Sequence, residues 1–513
     1  MKKIFVLFVC LFLFCSVNGS IAFAGQHEIR ILYVNDFHGF AEGYKSNDSD
    51  EVKGGIAYLA TLVERLRNEK PSLLLAAGDM IQGSNLANLF NGKPVIELMN
   101  MMKFDAMVVG NHEFDFGQAE LKARISEAQF PFLGANIEGI SNIKPYVIKE
   151  INGIKVAIIG VISRDTPIIT HPKNVIGLKF LAVPTTVARY VEELRDRVDI
   201  IIVLSHIGYH DDMVLAGRVK NIDVIVGGHS HTRVERLTLI GKTIIVQAWE
   251  HGRALGVLDL TLKEGKIINA AAHLEEVKPA SLEKDRTVSA IVGKYNKKVH
   301  AALDEIIGKT EIDLDGQNVR KRETNFGNLV ADSIRQATGA QTAIINGGSI
   351  IMSIPKGDMS KYDIYSALPF DNYATAVTMN GKQIKEVLEH GISSSDQEDG
   401  RFPQVSGLKF TYSNSAEKDS RVKEISIDGK PIEPDKYYSV ATNDFLAAGG
   451  DGYKMFNDVI RSSKNYSYSG GAIKGSSLIF IDPGRWIRDL LIEYIRNAKK
   501  IAPVVEGRIV ELR

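Results

Sequence analysis

Nine polar residues fall in five short groups, each at the end of an apolar run: Asp36 with His38, Asp79, Asn111 with His112 and Asp115, His206, and His229 with His231. Five of the 12 histidines lie in this set, so it is more than a scatter. Asp36 and His38 are two residues apart, and in an extended segment they would project to one side; His229 and His231 repeat that spacing. Imidazoles and carboxylates without thiolate suit borderline divalent ions such as zinc, manganese or iron. The set is too large for one ion and about right for two that share a bridging carboxylate and keep positions open for water and substrate. Two such ions, roughly 3.5–4 Å apart, clamp the attacking and leaving oxygens of a phosphoryl displacement. His27, His171, His210, His251, His273, His300 and His390 stand alone in sequence and read as ordinary surface or core residues. Asp211 and Asp212 read as a solvated turn.

Positioning these groups requires a series of strands that end on one side. Ile31–Asn35, Ser72–Ala77, Ala106–Val109, Asp199–Leu204 and Asp223–Val226 are apolar β-type runs separated by helical segments such as Ile56–Asn68 and Pro94–Met102. The pattern predicts an α/β sandwich that delivers ligands at the C-terminal ends of its strands. Residues 281–307 are charged and helical and are expected to form a connecting helix rather than a core element. Beyond them come a helical stretch, Asn325 to Thr338, then short strands and Gly-rich turns, which predict a second, α+β domain. The expected organisation is therefore a leader over 1–24, a catalytic domain over 25–280, a linker helix over 281–307 and a C-terminal domain over 308–513.

Composition excludes other classes. The formal net charge is +0, so nothing draws the whole chain to a nucleic acid polymer or an anionic membrane. Lys2 and Lys3, the apolar run Ile4–Phe14 and Ala22-Phe23-Ala24 have the form of a secretory signal. The run is too short to span a membrane, where ~20 apolar residues are needed. Both cysteines, Cys10 and Cys15, lie inside the leader, so the exported chain is expected to have no disulfide and no thiolate metal site. Phe14 before Cys15 argues against a lipoprotein, and the C-terminal residues Val504–Arg513 offer no apolar anchor signal. A bacterial exported protein, periplasmic or extracellular, is the expectation. Oligomeric state is left open.

Asn35-Asp-Phe-His-Gly39, Gly78-Asp-Met-Ile-Gln-Gly83, Gly110-Asn-His-Glu-Phe-Asp115, Ser205-His206 and Gly227-Gly-His-Ser-His231 together resemble the calcineurin-like metallophosphoesterase motifs of the 5′-nucleotidase family. Asn325–Leu329, Asn346-Gly-Gly348, Leu368-Pro-Phe370, Phe402–Gly407 and Asn443–Gly452 resemble that family's substrate-binding domain. The likeness covers nearly all of the chain after the leader. It implies an N-terminal αββα sandwich and two divalent ions (zinc, manganese or similar). One ion would be held by Asp36, His38, Asp79 and His231, the other by Asp79, Asn111, His206 and His229, with Asp79 bridging. Some relatives carry glutamine where this chain has His231. His112 and Asp115 match the catalytic dyad. Phe402 and Phe445 match the aromatic pair that sandwiches a nucleobase, Asp451 a ribose-binding carboxylate, Arg320 a phosphate arginine and Asn346 a substrate-contacting asparagine. The likeness further implies that rotation of the second domain brings substrate to the metals.

One departure stands out. Many relatives follow Asn-Gly-Gly with a short run ending in arginine, whereas this chain has Ser349-Ile350-Ile351; Lys321, Arg322 and Arg401 are the cations that could compensate. The expected activity is hydrolysis of nucleoside 5′-phosphates to nucleoside and phosphate. A 2′,3′-cyclic-nucleotide phosphodiesterase or nucleotide-sugar pyrophosphatase on the same scaffold is the nearest alternative, and a non-catalytic exported nucleotide-binding protein the more distant one.

Overall fold

The computed structural model describes residues 26–45, 51–469 and 472–512; the leader read at residues 1–24 lies outside them. Two six-stranded sheets form the N-terminal body. The first runs in the order Lys266–Glu276, Ala254–Lys263, Gln26–Val34, Ser72–Ala76, Ala106–Val108, Phe132–Leu133, and the second in the order Thr238–Ile240, Thr243–Gln247, Val224–Gly227, Ile200–His206, Ile154–Ile162, Tyr146–Ile151. The alternation along each central strand explains the layers. Ile29, Ile31 and Tyr33 face the interior between the sheets, together with Ile200, Ile202 and Leu204. Leu32 and Val34 face the opposite way, under the helices Ile56–Glu69 and Lys93–Met101, while Ile201 and Val203 face the helices Val183–Leu194 and Tyr209–Arg218. A strand buried on both faces has to be apolar throughout, which is why these runs do not alternate in polarity.

Parallel pairing aligns the strand ends. Gln26–Val34 pairs in parallel with Ser72–Ala76, which pairs with Ala106–Val108; Ile200–His206 pairs in parallel with Val224–Gly227. All five polar groups therefore leave the sandwich at the same edge.

The helix foreseen as a connector turns out to be core. Asp285 caps Arg286–Leu303 by accepting from the Val288 amide at 2.8 Å, and the helix buries Val288, Val292, Tyr295, Val299 and Leu303 in the N-terminal body. A charged outer face hid this stripe of three- and four-residue spacing. The C-terminal body, entered at Ile306, is built on a five-stranded sheet in the order Pro403–Ser406, Thr342–Asn346, Tyr437–Asn443, Tyr373–Asn380, Leu478–Trp486. Helices Asn325–Thr338 and Ile487–Ala498 cover one face, and Gly381–Gly391 and Lys454–Arg461 the other. The two bodies touch where Asn85 donates to the Tyr362 carbonyl and Ser366 hydroxyl, at 3.2 and 2.7 Å, and where Asn88 donates to the Pro369 carbonyl at 3.1 Å. Among the described residues no helix is long and apolar enough to cross a membrane.

Candidate active site

The loops after the five strands converge by a different route from strand alternation. Asp36 and His38 have φ of 48° and 50°, His229 and His231 of 77° and 52°, and Asp79 of 53°. All five sit in the left-handed region, which costs a non-glycine residue about 1–3 kcal/mol and recurs at functional sites. The expectation that each Asp-x-His or His-x-His pair projects from an extended segment is thus corrected, since tight turns aim these side chains. Backbone bonds hold the turns: the Asp36, His38 and Gly39 amides donate to the Gly78, Asp79 and Met80 carbonyls, each at 3.0 Å.

Two groups of side chains could each hold a cation, Asp36–His38–His231 and Asp79–His206–His229. The outer ring nitrogens are already engaged. His38 Nδ1 lies 2.9 Å from the Gln82 carbonyl, His206 Nδ1 2.7 Å from the Ala77 carbonyl and His231 Nδ1 2.6 Å from Glu250. Such outer contacts fix the tautomer and leave Nε2 as the inward atom. His38 Nε2 is 3.2 Å from His231 Nε2, which is 3.4 Å from Asp36 Oδ1. His206 Nε2 is 3.0 Å from Asp79 Oδ2 and 3.3 Å from Asn111 Oδ1. Ligands on a tetrahedral ion at ~2.0–2.1 Å stand roughly 3.3 Å apart, so the spacings fit bound cations. The electrostatics agree. Burial pushes His38 and His229 down to about 4, keeping them neutral. Burial also opposes charge on His206 and His231, yet Asp79 raises the first to about 9, and Asp36 and Glu250 raise the second to about 10. The carboxylates call for positive charge at those positions, which a divalent ion supplies in place of protons.

His112 and Asp115 meet as expected, Nδ1 to Oδ2 at 2.7 Å. Burial works against the imidazolium, but Asp115 and Asp79 prevail and hold His112 at about 9. Residues outside the expected set complete the site. Glu113 is fully buried and its carboxylate accepts from the amides of Asp79, Met80, Ile81 and Gly110 at 2.9, 2.7, 3.3 and 2.6 Å. Its place inside Gly-Asn-His-Glu-Phe-Asp was the available signal. Thr170 Oγ1 donates to Asp115 Oδ1 at 2.7 Å. His251, read as ordinary, lies with His231 and Glu250 in a third group of potential ligands. Asp212 is not solvated: it is buried and accepts from Ser205 Oγ at 2.6 Å.

The C-terminal residues face the same space. One cleft of about 1390 Å³ is lined by His38, Asp79, Asn111, His112, His229 and His231 on one wall and by Arg320, Asn346, Phe445 and Asp451 on the other. Asp36 and His206, both fully buried, lie beneath it. Asn346 donates to Asp451 at 2.7 Å and accepts from Asn443 at 2.9 Å; burial raises Asp451 to about 6. Phe402 departs from expectation. Its ring is 1% exposed and packs with Tyr412 in the C-terminal core, and it does not line the cleft, whereas Phe445 does. Of the cations that could replace a missing arginine, Lys321 and Arg322 pair with Glu398 and Asp315, and Arg401 pairs at 2.9 Å with Asp399, which lines the cleft together with Ile351.

Residues 29–233 match the calcineurin-like phosphoesterase model and residues 306–458 the 5′-nucleotidase C-terminal domain model. The chain is 30% identical to a human 5′-nucleotidase over 95% of its own length and 91% of the relative's. It belongs to the 5′-nucleotidase family. A trifunctional nucleotide phosphoesterase of Bacillus subtilis is 32% identical over 95% of this chain, which spans only 35% of that longer protein. The structure of a 5′-nucleotidase precursor from Thermus thermophilus superposes with a TM-score of 0.84 at 29% identity, covering 95% of this chain and 100% of the other. Membership in the 5′-nucleotidase family bears out the α/β fold class with its two characteristic domains, and makes the protein a metal-dependent phosphoesterase.

Proposed function

We propose that the protein is an exported nucleotide phosphohydrolase that uses two divalent ions to convert nucleoside 5′-phosphates to nucleoside and phosphate. The observation that carries this reading is the single cleft, with the metal-competent wall and His112 facing the nucleoside-competent wall of Phe445, Asp451 and Asn346. Asp36, His38 and His231, with Asp79, would hold one ion, and Asp79, Asn111, His206 and His229 the other; when bound, such ions would supply charge neutralisation at the phosphoryl group and a water acidic enough to attack at neutral pH. Asp115 takes up Nδ1 of His112, which leaves Nε2 to stabilise the phosphoryl oxygens or protonate the leaving oxygen. Arg320 approaches the phosphate, the Phe445 ring stacks on the base, and Asp451 accepts from ribose hydroxyls. An intact ligand set and dyad argue against a binder without catalysis.

Metal-dependent release of phosphate from AMP tests this directly; no release from any nucleoside monophosphate with zinc, manganese or cobalt would overturn it. Ile351 in the cleft favours a second reading, that cyclic or sugar nucleotides lacking a free terminal phosphate are also accepted. A panel of these substrates decides it.

Bridging by Asp79 makes its own prediction. Asp79→Asn should weaken both ions together, whereas His38→Ala should chiefly weaken one; calorimetric titration that finds two tight ions in Asp79→Asn would remove the bridge. The two phenylalanines should also separate. Base stacking is worth about 1–3 kcal/mol, so Phe445→Ala should lower kcat/KM on AMP about 5- to 150-fold and spare a small aryl phosphate. Phe402→Ala should act on the fold instead, costing ~3–5 kcal/mol of stability in a denaturant titration, as for other buried phenylalanines.

A further inference from the structure

Residues 166–175 join two places that the reaction has to coordinate. On one side the segment holds the dyad: Thr170 Oγ1 donates to Asp115 Oδ1 at 2.7 Å, and Asn174 Nδ2 donates to the Asp115 carbonyl at 2.9 Å. With His112 on Oδ2, both carboxylate oxygens of Asp115 are engaged. On the other side the segment reaches across to the C-terminal body. His171 Nδ1 accepts from the Lys173 amide at 3.2 Å, so Nε2 carries the proton and donates to Asp444 Oδ2 at 2.9 Å. That contact is nearly closed to solvent, with side-chain exposures of 13% for His171 and 5% for Asp444. Asp444 Oδ1 accepts from the Tyr373 amide at 3.1 Å, and Lys173 Nζ stands 5.7 Å over the Tyr373 ring. Asp444 directly precedes Phe445, and the short helix Thr166–Ile169 packs against the Gly450–Gly452 turn that carries Asp451.

We propose that Thr166–Val175 is a coupling strap, and that Thr170 and His171 are positioning residues through which docking of the nucleoside-binding loop sets the orientation of the His112–Asp115 dyad. Both residues line the cleft, and each acts through a partner, Thr170 through Asp115 and His171 through Asp444. Seating of Asp444 on His171 fixes the residue next in chain to Thr170, so the Asp115 carboxylate is held squarely only when the C-terminal body is in place. The inference rests on the nucleotide-hydrolase reading, because only a substrate with a nucleoside recruits that body.

The experiment uses the full chain with manganese, and AMP and p-nitrophenyl phosphate as paired probes. His171→Ala should lower kcat on AMP about tenfold, with little change in KM, while the aryl phosphate stays within about twofold; a single lost hydrogen bond is worth roughly that factor. His171→Gln, whose amide can still donate to Asp444, should recover most of the AMP rate. Thr170→Val, which keeps shape and loses the donor, should lower kcat on both substrates about five- to tenfold, and adding His171→Ala to it should cost nothing further on AMP. Equal losses on both substrates in His171→Ala, no rescue by glutamine, or multiplicative losses in the double variant would each overturn the strap while leaving the nucleotide activity of the wild type standing. Wild-type protein that cleaves the aryl phosphate and no nucleotide would overturn the functional reading, and the strap with it.

Discussion

Replacement of His112 by alanine should leave both metal ions in place and lower kcat on AMP by ~10²–10⁴-fold, the usual worth of a positioned acid–base or electrostatic group. His112 lies next to Asn111 in sequence, yet its Nδ1 is spent on Asp115 at 2.7 Å and it belongs to none of the groups of potential ligands. Rate and metal content should therefore come apart. Elemental analysis alongside steady-state kinetics reads both, and a variant that loses bound metal in proportion to its rate would make His112 a ligand.

Glu113→Gln should damage stability and metal binding together. The carboxylate gathers four backbone amides from two loops, and an amide in its place turns one acceptor oxygen into a donor that confronts amides already seeking an acceptor. Hydrogen bonds to a charged group contribute about 1.5–3 kcal/mol each, and buried unsatisfied donors cost a similar amount. A loss of about 3 kcal/mol is expected, lowering Tm by roughly 6–12 °C for a body of this size. Because the Asp79 amide is one of the four, metal affinity should fall as well. Calorimetry with and without metal measures both quantities; an unchanged Tm and unchanged affinity would show the cradle to be dispensable.

Much of the site could be read from the sequence because the chemistry sits in short motifs at the ends of apolar runs, and parallel pairing carries those ends to one edge. Residues whose role depends on three-dimensional approach were harder. An extended reading of Asp36-Phe-His38 takes the strand to continue, and positive φ cannot be inferred from Asp and His alone. Phe402 has the same letter whether its ring faces the cleft or the core, and the turn before Pro403 sends it to the core. His171 looks isolated because its partner lies 273 positions away on the other body. Asp212 looks solvated because the Ser205 hydroxyl that donates to its Oδ1 comes from the preceding strand. Helix 286–303 reads as a connector because Arg286, Lys294, Lys297 and Lys298 give it a charged outer face, although five apolar side chains at helical spacing are present on the other.

The strained turns lean on one another: backbone bonds tie the loop of Asp36 and His38 to that of Asp79, and the His229 amide donates to the Asp36 carboxylate at 2.9 Å. Each loop is therefore part of its neighbour's support. A substitution that shifts one of these turns is expected to displace residues of both groups of potential ligands together, so the site should fail as a unit rather than residue by residue.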